Sequence, residues 1–252
     1  MSLERKIVMS GHSKWNNIKR KKEKTDAAKA KVFTKIGREI SVIVKAGGPN
    51  PNENSKLKDV IAKAKAANVP NDNIERIIKK AAGEGGANEY EELIYEGYGP
   101  SGIAVVVETL TDNRNRTAGD IRHYFDKCGG NLGQSGSVMF MFDRKGILEI
   151  EAEGLDEDTV MEAALEAGAD DFNFDGDVFE IVTDPNSFSE VRDNLEEKGY
   201  SFVSAEIQYV PQTTSTIDDP DAAAKMEKLI DMLEENDDVQ DIWHNWEMPD
   251  DE

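Results

Sequence analysis

Residues 97–102, reading GYGPSG, match by letter the glycine pattern of a dinucleotide-binding site. Such a site needs a helix that begins at the glycines, because the helix N-terminus holds the pyrophosphate. Here the β-rich run IAVVVETL follows instead. The stretch therefore predicts a turn between two strands.

Residues 171–176, reading DFNFDG, match the opening of a calcium loop, with side-chain oxygens at positions one, three and five and glycine at six. Position twelve should be glutamate and is Val182, and the intervening DVFEIV alternates like a strand. The segment predicts a β-hairpin with an Asp-Gly turn. Weak cation binding at its surface stays open as an alternative.

The remaining reactive residue types do not form a catalytic pattern. The three histidines are far apart in the sequence, and the single cysteine, Cys128, gives no zinc-type spacing and no internal disulfide. The carboxylates fall mostly on predicted helix surfaces, at caps and in turns. We expect no enzyme, no metal site and no cofactor, with a metal-dependent hydrolase as the rival from another class. The lone cysteine favours the cytoplasm, and no run of about 20 apolar residues predicts a membrane span.

Charge is distributed very unevenly in this chain of net charge −21. Residues 1–86 hold 20 Lys and Arg against 9 Asp and Glu, whereas residues 87–252 hold 10 against 42. This asymmetry predicts a polyanion-binding module joined to an acidic body. The alternative is a basic region that only docks on the acidic body, or whose charge only serves solubility.

The cations begin in residues 13–24, a polar arm that carries Trp15 among its lysines. A basic arm with an aromatic residue can follow phosphates and stack on an exposed base. Trp15 can equally pack the arm onto the helices that follow. The arm cations expected to contact phosphate are Lys14, Lys19, Arg20, Lys21, Lys22 and Lys24.

Two further groups complete the candidate surface. Lys31, Lys35 and Arg38 lie on one face of a predicted helix, roughly opposite an apolar stripe. Residues 111–117, reading TDNRNRT, add Arg114 and Arg116, which are rare cations in the acidic part. The competing interpretation of that segment is a turn followed by a helix cap at Thr117.

The periodicity predicts an α+β fold with three parts. Residues 1–86 read as a basic helical domain with an N-terminal arm. Residues 137–211 read as a ferredoxin-like domain, in which a strand in GSVMFMF is followed by the element order β-α-β-β-α-β. Residues 87–136 together with 212–252 read as a discontinuous α/β domain. The ferredoxin-like domain is thus expected to be inserted in the other α/β domain.

Several long stretches resemble the YebC family of bacterial proteins. They are MSGHSKWNNIK from Met9, VFTKIGREI, NVPNDNIERIIKKAAG, YEGYGPSGIAVVVE, TDNRNRTAGDIRHYFDKCGGNLGQSGSVMFMFDRKG and VPQTT. The resemblance implies a helical domain and two α/β domains, one inserted in the other, with no catalytic activity. It also implies a transcriptional regulator that binds DNA, or, as in related members, a translational activator that acts with ribosomes.

The sequence and the resemblance together predict a non-enzymatic, cytoplasmic regulator of gene expression that binds nucleic acid. A transcriptional regulator on DNA is the first interpretation, and a ribosome-associated activator on ribosomal RNA is the second. An adaptor whose acidic face binds a protein partner is the alternative from another class. The expected partners are nucleic acid and either the ribosome or the transcription machinery, with no membrane.

Overall fold

The computed structural model describes residues 26–83, 90–174 and 176–248. Its first part, here called the helical region, contains α1 (Asp26–Gly47), α2 (Ser55–Ala66) and α3 (Asn71–Ala82). The three helices pack around a small apolar core in which Ile40 and Leu57 are fully buried. Asn54 caps α2 by accepting a hydrogen bond from the Leu57 backbone N–H. The predicted helices and their apolar stripes are therefore present.

The first sheet has four antiparallel strands in the order β3-β1-β2-β8. They are β1 (Glu91–Tyr98), β2 (Ala104–Thr111), β3 (Asn131–Leu132) and β8 (Val239–His244). Two helices, α4 (Arg114–Lys127) and α7 (Pro220–Glu235), pack on it through a core that includes Phe125 and Leu229. Strand β8 comes from the end of the chain and pairs with β2, so this sheet is built from both sides of the intervening segment.

The second sheet has the strand order β5-β6-β4-β7, and all its neighbours are antiparallel. Its strands are β4 (Phe142–Glu151), β5 (Asp171–Phe174), β6 (Val178–Thr183) and β7 (Ser204–Pro211). Helices α5 (Glu157–Ala167) and α6 (Phe188–Glu197) cover one face, giving the predicted ferredoxin-like order. The structure is thus of the α+β class, with N-terminal helices and two sheets.

The two glycine-containing motifs fold as the predicted turn and the predicted hairpin. Residues 100–102 form one turn of 3-10 helix between β1 and β2, and the Gly99 N–H closes it by donating to the Ile103 carbonyl. Ser101 and Gly102 both take positive φ angles there, 56° and 76°. Strands β5 and β6 form the predicted hairpin.

One predicted strand is wrong. The run GSVMFMF folds as a loop with a 3-10 turn at Met139–Met141, and regular strand begins only at Phe142. The buried carboxylate of Glu96 accepts hydrogen bonds from the backbone N–H groups of Gly136, Val138 and Met139, at 2.6, 2.9 and 2.8 Å. Burial opposes ionisation of Glu96, but these bonds outweigh it and lower its pKa. The loop is therefore organised around a charge on β1, which local periodicity does not reveal.

Of the helices in the described residues, none is long and apolar enough to cross a membrane.

Candidate nucleic-acid interface

The candidate cations of α1 face the acidic part of the chain. Lys31 and Lys35 donate from Nζ to the backbone carbonyls of Glu235 and Glu234, each at 3.4 Å. These carbonyls lie at the C-terminal end of α7, where a helix carries partial negative charge. The spacing of four residues aligns both lysines on one face of α1 and so points them at the same helix end.

Arg38 continues this contact one turn further along α1. Its Nη1 donates to the Asp237 carbonyl at 2.6 Å and to Asp238 Oδ1 at 3.0 Å. The guanidinium carbon also lies 5.4 Å from the centre of the Tyr90 ring, which is within the range of a cation–π contact. Lys31 and Lys35 therefore join the helical region to the C-terminal end of α7, and Arg38 joins it to the residues that follow.

Asp238 is the shared acceptor of two candidate residues that are distant in the sequence. Its Oδ2 accepts from Arg116 Nη2 at 2.7 Å and from Thr117 Oγ1 at 2.8 Å, while Oδ1 accepts from Arg38. Burial opposes ionisation of this carboxyl, but the hydrogen bonds from Arg116, Thr117 and Arg38 lower its pKa. The structure thus brings Arg38 and Arg116 together, around one carboxylate.

The other arginine of that segment stays accessible. Arg114 lies 3.5 Å from Glu91, and its side chain is 68% exposed. The helix cap is Asn113, whose side chain accepts from the Arg116 N–H, and Thr117 lies inside α4. The interpretation with a cap at Thr117 is therefore wrong by four residues, since Asn113 caps α4. The Thr117 hydroxyl donates to Asp238 instead.

Sequence reasoning missed Lys63, which joins all three parts of the chain. Its Nζ lies 3.0 Å from Asp241 on β8, 3.1 Å from Glu206 on β7 and 3.4 Å from Glu39 on α1. Burial would lower the pKa of Lys63, but the three carboxylates raise it well above its usual value. In the sequence, Lys63 is one of four similar lysines of α2, and no local signal distinguishes it.

A second set of ion pairs connects α2 to the second sheet. Arg192 on α6 is 1% exposed and lies 2.7 Å from Asp59, which also accepts from Ser189 Oγ at 2.7 Å. At the rim, Lys58 pairs with Asp193. The helical region is therefore joined to both sheets by complementary charges, with the cations mostly on its own side.

Within the described ranges, no group of three or more His, Cys, Asp or Glu residues could hold a metal ion.

The arm residues Lys14, Trp15, Lys19, Arg20, Lys21, Lys22 and Lys24 lie outside the described residues. The cations on the outer side of α3, at Arg76, Lys79 and Lys80, are exposed and were not among the sequence-derived candidates.

The three helices and two antiparallel sheets define a three-part α+β architecture, and comparison with known proteins identifies its family. Residues 13–84 match the model described as the TACO1/YebC protein N-terminal domain, and residues 90–246 match the TACO1/YebC second and third domain. The chain belongs to the TACO1/YebC family, which confirms the resemblance found in the sequence.

Its relatives include proteins named "Probable transcriptional regulatory protein". One from Acetivibrio thermocellus is 62% identical over 239 residues, covering 94% of this chain and 99% of the relative. Another from Caldicellulosiruptor saccharolyticus is 60% identical over 240 residues, covering 95% and 99%. A crystal structure of a conserved hypothetical protein from Aquifex aeolicus is similar with a TM-score of 0.81 at 47% identity, covering 90% of this chain and 93% of that one.

Proposed function

We propose that this chain is a non-enzymatic, cytoplasmic regulator of gene expression that binds DNA through its N-terminal part. The observation that carries the proposal is the segregation of charge, with 20 of the 30 Lys and Arg residues in the first 86 positions. Phosphate contacts dominate the affinity of proteins for nucleic acid, and they require such a concentration of cations. The regulatory names of the relatives support the same role.

The contacts of the described candidates refine the proposed site. Lys31, Lys35, Arg38 and Arg116 are engaged with the C-terminal end of α7 and with Asp238, so phosphate would have to compete for them. Arg114 is accessible at 68% exposure. We therefore assign the principal phosphate contacts to the arm cations, with Trp15 as the candidate stacking residue.

Replacing Lys19, Arg20, Lys21 and Lys22 by Ala tests the proposal. Affinity for a labelled DNA duplex should fall, and the slope of log affinity against log salt should shrink by about 0.9 for each phosphate that the variant no longer neutralises. Fluorescence anisotropy at several salt concentrations measures both. The matched control replaces Arg122, Lys127, Lys225 and Lys228, which are exposed on α4 and α7, and should leave the slope unchanged.

A ribosomal RNA fragment titrated in parallel decides between the two kinds of nucleic acid. Preference for the duplex supports the DNA-binding proposal, whereas preference for the RNA, with ribosome co-sedimentation that the arm variant reduces, supports a translational activator. If the unmodified chain binds neither polymer, or if the control variant weakens binding as much as the arm variant, the proposal fails.

A further inference from the structure

The helical region has a second group of cations on α3. Arg76, Lys79 and Lys80 are all exposed, and their spacing of three and four residues places them on one side of the helix. The opposite side is anchored by Ile74 and Ala81, which are buried in the core of the helical region. No acidic residue follows Glu75 within α3, so all the charged side chains in the C-terminal half of this helix are positive.

This side of α3 points away from the contacts that join the helical region to the acidic body. α3 crosses α1 beside Gly37, where the Ile77 side chain comes within 3.4 Å of the position a Cβ would take. With 3.6 residues per turn, Gly37 lies about 100–160° around α1 from Lys31, Lys35 and Arg38. Since those three residues face the C-terminal end of α7 and the residues that follow it, α3 occupies a different side of α1.

In the described part of the chain, the cations that the helical region contributes to ion pairs with the acidic body belong to α1 and α2, and none belongs to α3. Arg76 is oriented by its own helix, donating from Nη2 to Asn73 Oδ1 at 3.0 Å. A guanidinium has five N–H donors, so this bond leaves four for an acceptor from outside. The α3 cations are thus positioned for an external anion.

We propose that Arg76, Lys79 and Lys80 form a second contact with the nucleic-acid backbone, separate from the arm. This inference rests on the proposed function. Three cations within one helical turn suit a row of phosphates, whereas the residues that follow position 86, with 42 acidic against 10 basic side chains, repel the same polymer.

The test replaces Arg76, Lys79 and Lys80 by Gln in the full chain and measures binding to the labelled duplex. We expect affinity to fall about tenfold or more at 0.1 M salt and the salt slope to shrink by about 2–3, corresponding to three phosphates. The matched control replaces Arg122, Lys225 and Lys228 by Gln and should change neither. Arg76→Glu alone should weaken binding more than Arg76→Gln, since reversal adds repulsion.

Melting temperature is recorded for each variant, because cations in the last turn also favour the helix dipole. Only a small fall is expected, since all three side chains are exposed. If the parent chain binds and the arm variant binds weakly, but the α3 variant matches its control, this inference is overturned while the proposed function stands. If the parent chain does not bind, both fail.

Discussion

The two sides of the helical region use the same residue types for different purposes. On the inner side, Lys31, Arg38 and Lys63 contact carboxylates or carbonyls of the acidic body at 2.6–3.4 Å. On the outer side, Arg76 and Lys79 are exposed to solvent. Both groups have helical spacing next to an apolar stripe. What separates them is the element that the fold places opposite, and this decides whether a cation joins two parts of the protein or is accessible to a ligand.

The largest effect that should follow from this comparison is at Lys63. The Lys63 side chain is only 23% exposed. Replacing it by Met leaves the carboxylates of Glu39, Glu206 and Asp241 close together without their cation. Removing one partner of a buried ion pair costs about 3–5 kcal/mol, so the free energy of unfolding should fall by about that amount. Urea unfolding measures the decrease.

The control for Lys63→Met is Lys65→Met, which changes an exposed lysine on the same helix. It should alter the unfolding free energy by no more than about 0.5 kcal/mol. Equal decreases in the two variants would contradict a special role for Lys63 and would remove the distinction between inner and outer cations.

The next effect concerns pH at the same junction. Burial, with the nearby Asp241 and Glu92, raises the pKa of Glu108 to about 8, against the attraction of Lys63. Between pH 4.5 and 8 the folded chain therefore holds a proton that the unfolded chain releases. Stability should fall as pH rises through this window, by up to about 1.4 kcal/mol for each pH unit.

Glu108→Gln keeps the neutral form at every pH and should flatten this dependence. Urea midpoints measured from about pH 5 to about pH 8 for both chains show the difference in slope. Glu151→Gln, at an exposed position on β4, is the matched control and should retain the slope of the unmodified chain. Parallel slopes for Glu108→Gln and the unmodified chain would contradict the assignment of the proton to Glu108.

The smallest effect is expected at the rim of the inner side. Lys58 pairs with Asp193, but the two side chains are 49% and 32% exposed. Exposed ion pairs contribute about 0–1 kcal/mol, and salt screens them. Lys58→Ala should therefore lower the free energy of unfolding by less than about 1 kcal/mol, with Lys56→Ala as the exposed control on the same helix. If Lys58→Ala lowered the free energy of unfolding as much as Lys63→Met, the exposure of the side chains would not predict how much each ion pair stabilises the fold.

Much of the fold could be predicted because its signals are local. The stripe with Ile36 and Ile40 predicts α1, and the alternation in DVFEIV predicts β6, since each pattern matches the period of its element. The loop before β4 could not be predicted, because it is shaped by hydrogen bonds to Glu96, some 40 residues earlier. The three domain limits derived from the sequence stay a prediction.

The candidate site likewise combines features that the sequence predicts with contacts that it does not predict. The charge asymmetry between the first 86 residues and the rest is a property of the sequence, and it pointed to a basic module. Helical spacing also placed Lys31, Lys35 and Arg38 on one face correctly, but it could not reveal that this face lies against the C-terminal end of α7. Their assignment to nucleic-acid binding, like that of the arm residues, stays a prediction.

The long motifs of the sequence determined the family by themselves. The α+β class, most of the order of the elements and the location of positive charge also followed from the sequence, because these depend on local periodicity and composition. Only the tertiary structure decided which cations are paired. Glu206 and Asp241 follow their partner Lys63 by more than 140 residues, and Asp238 follows its partner Arg38 by 200. Strand β8, which carries Asp241, is held in its sheet by pairing with β2. Electrostatic contact depends on distance in space, and a distance between two parts of a chain is fixed only when the sheets between them have formed.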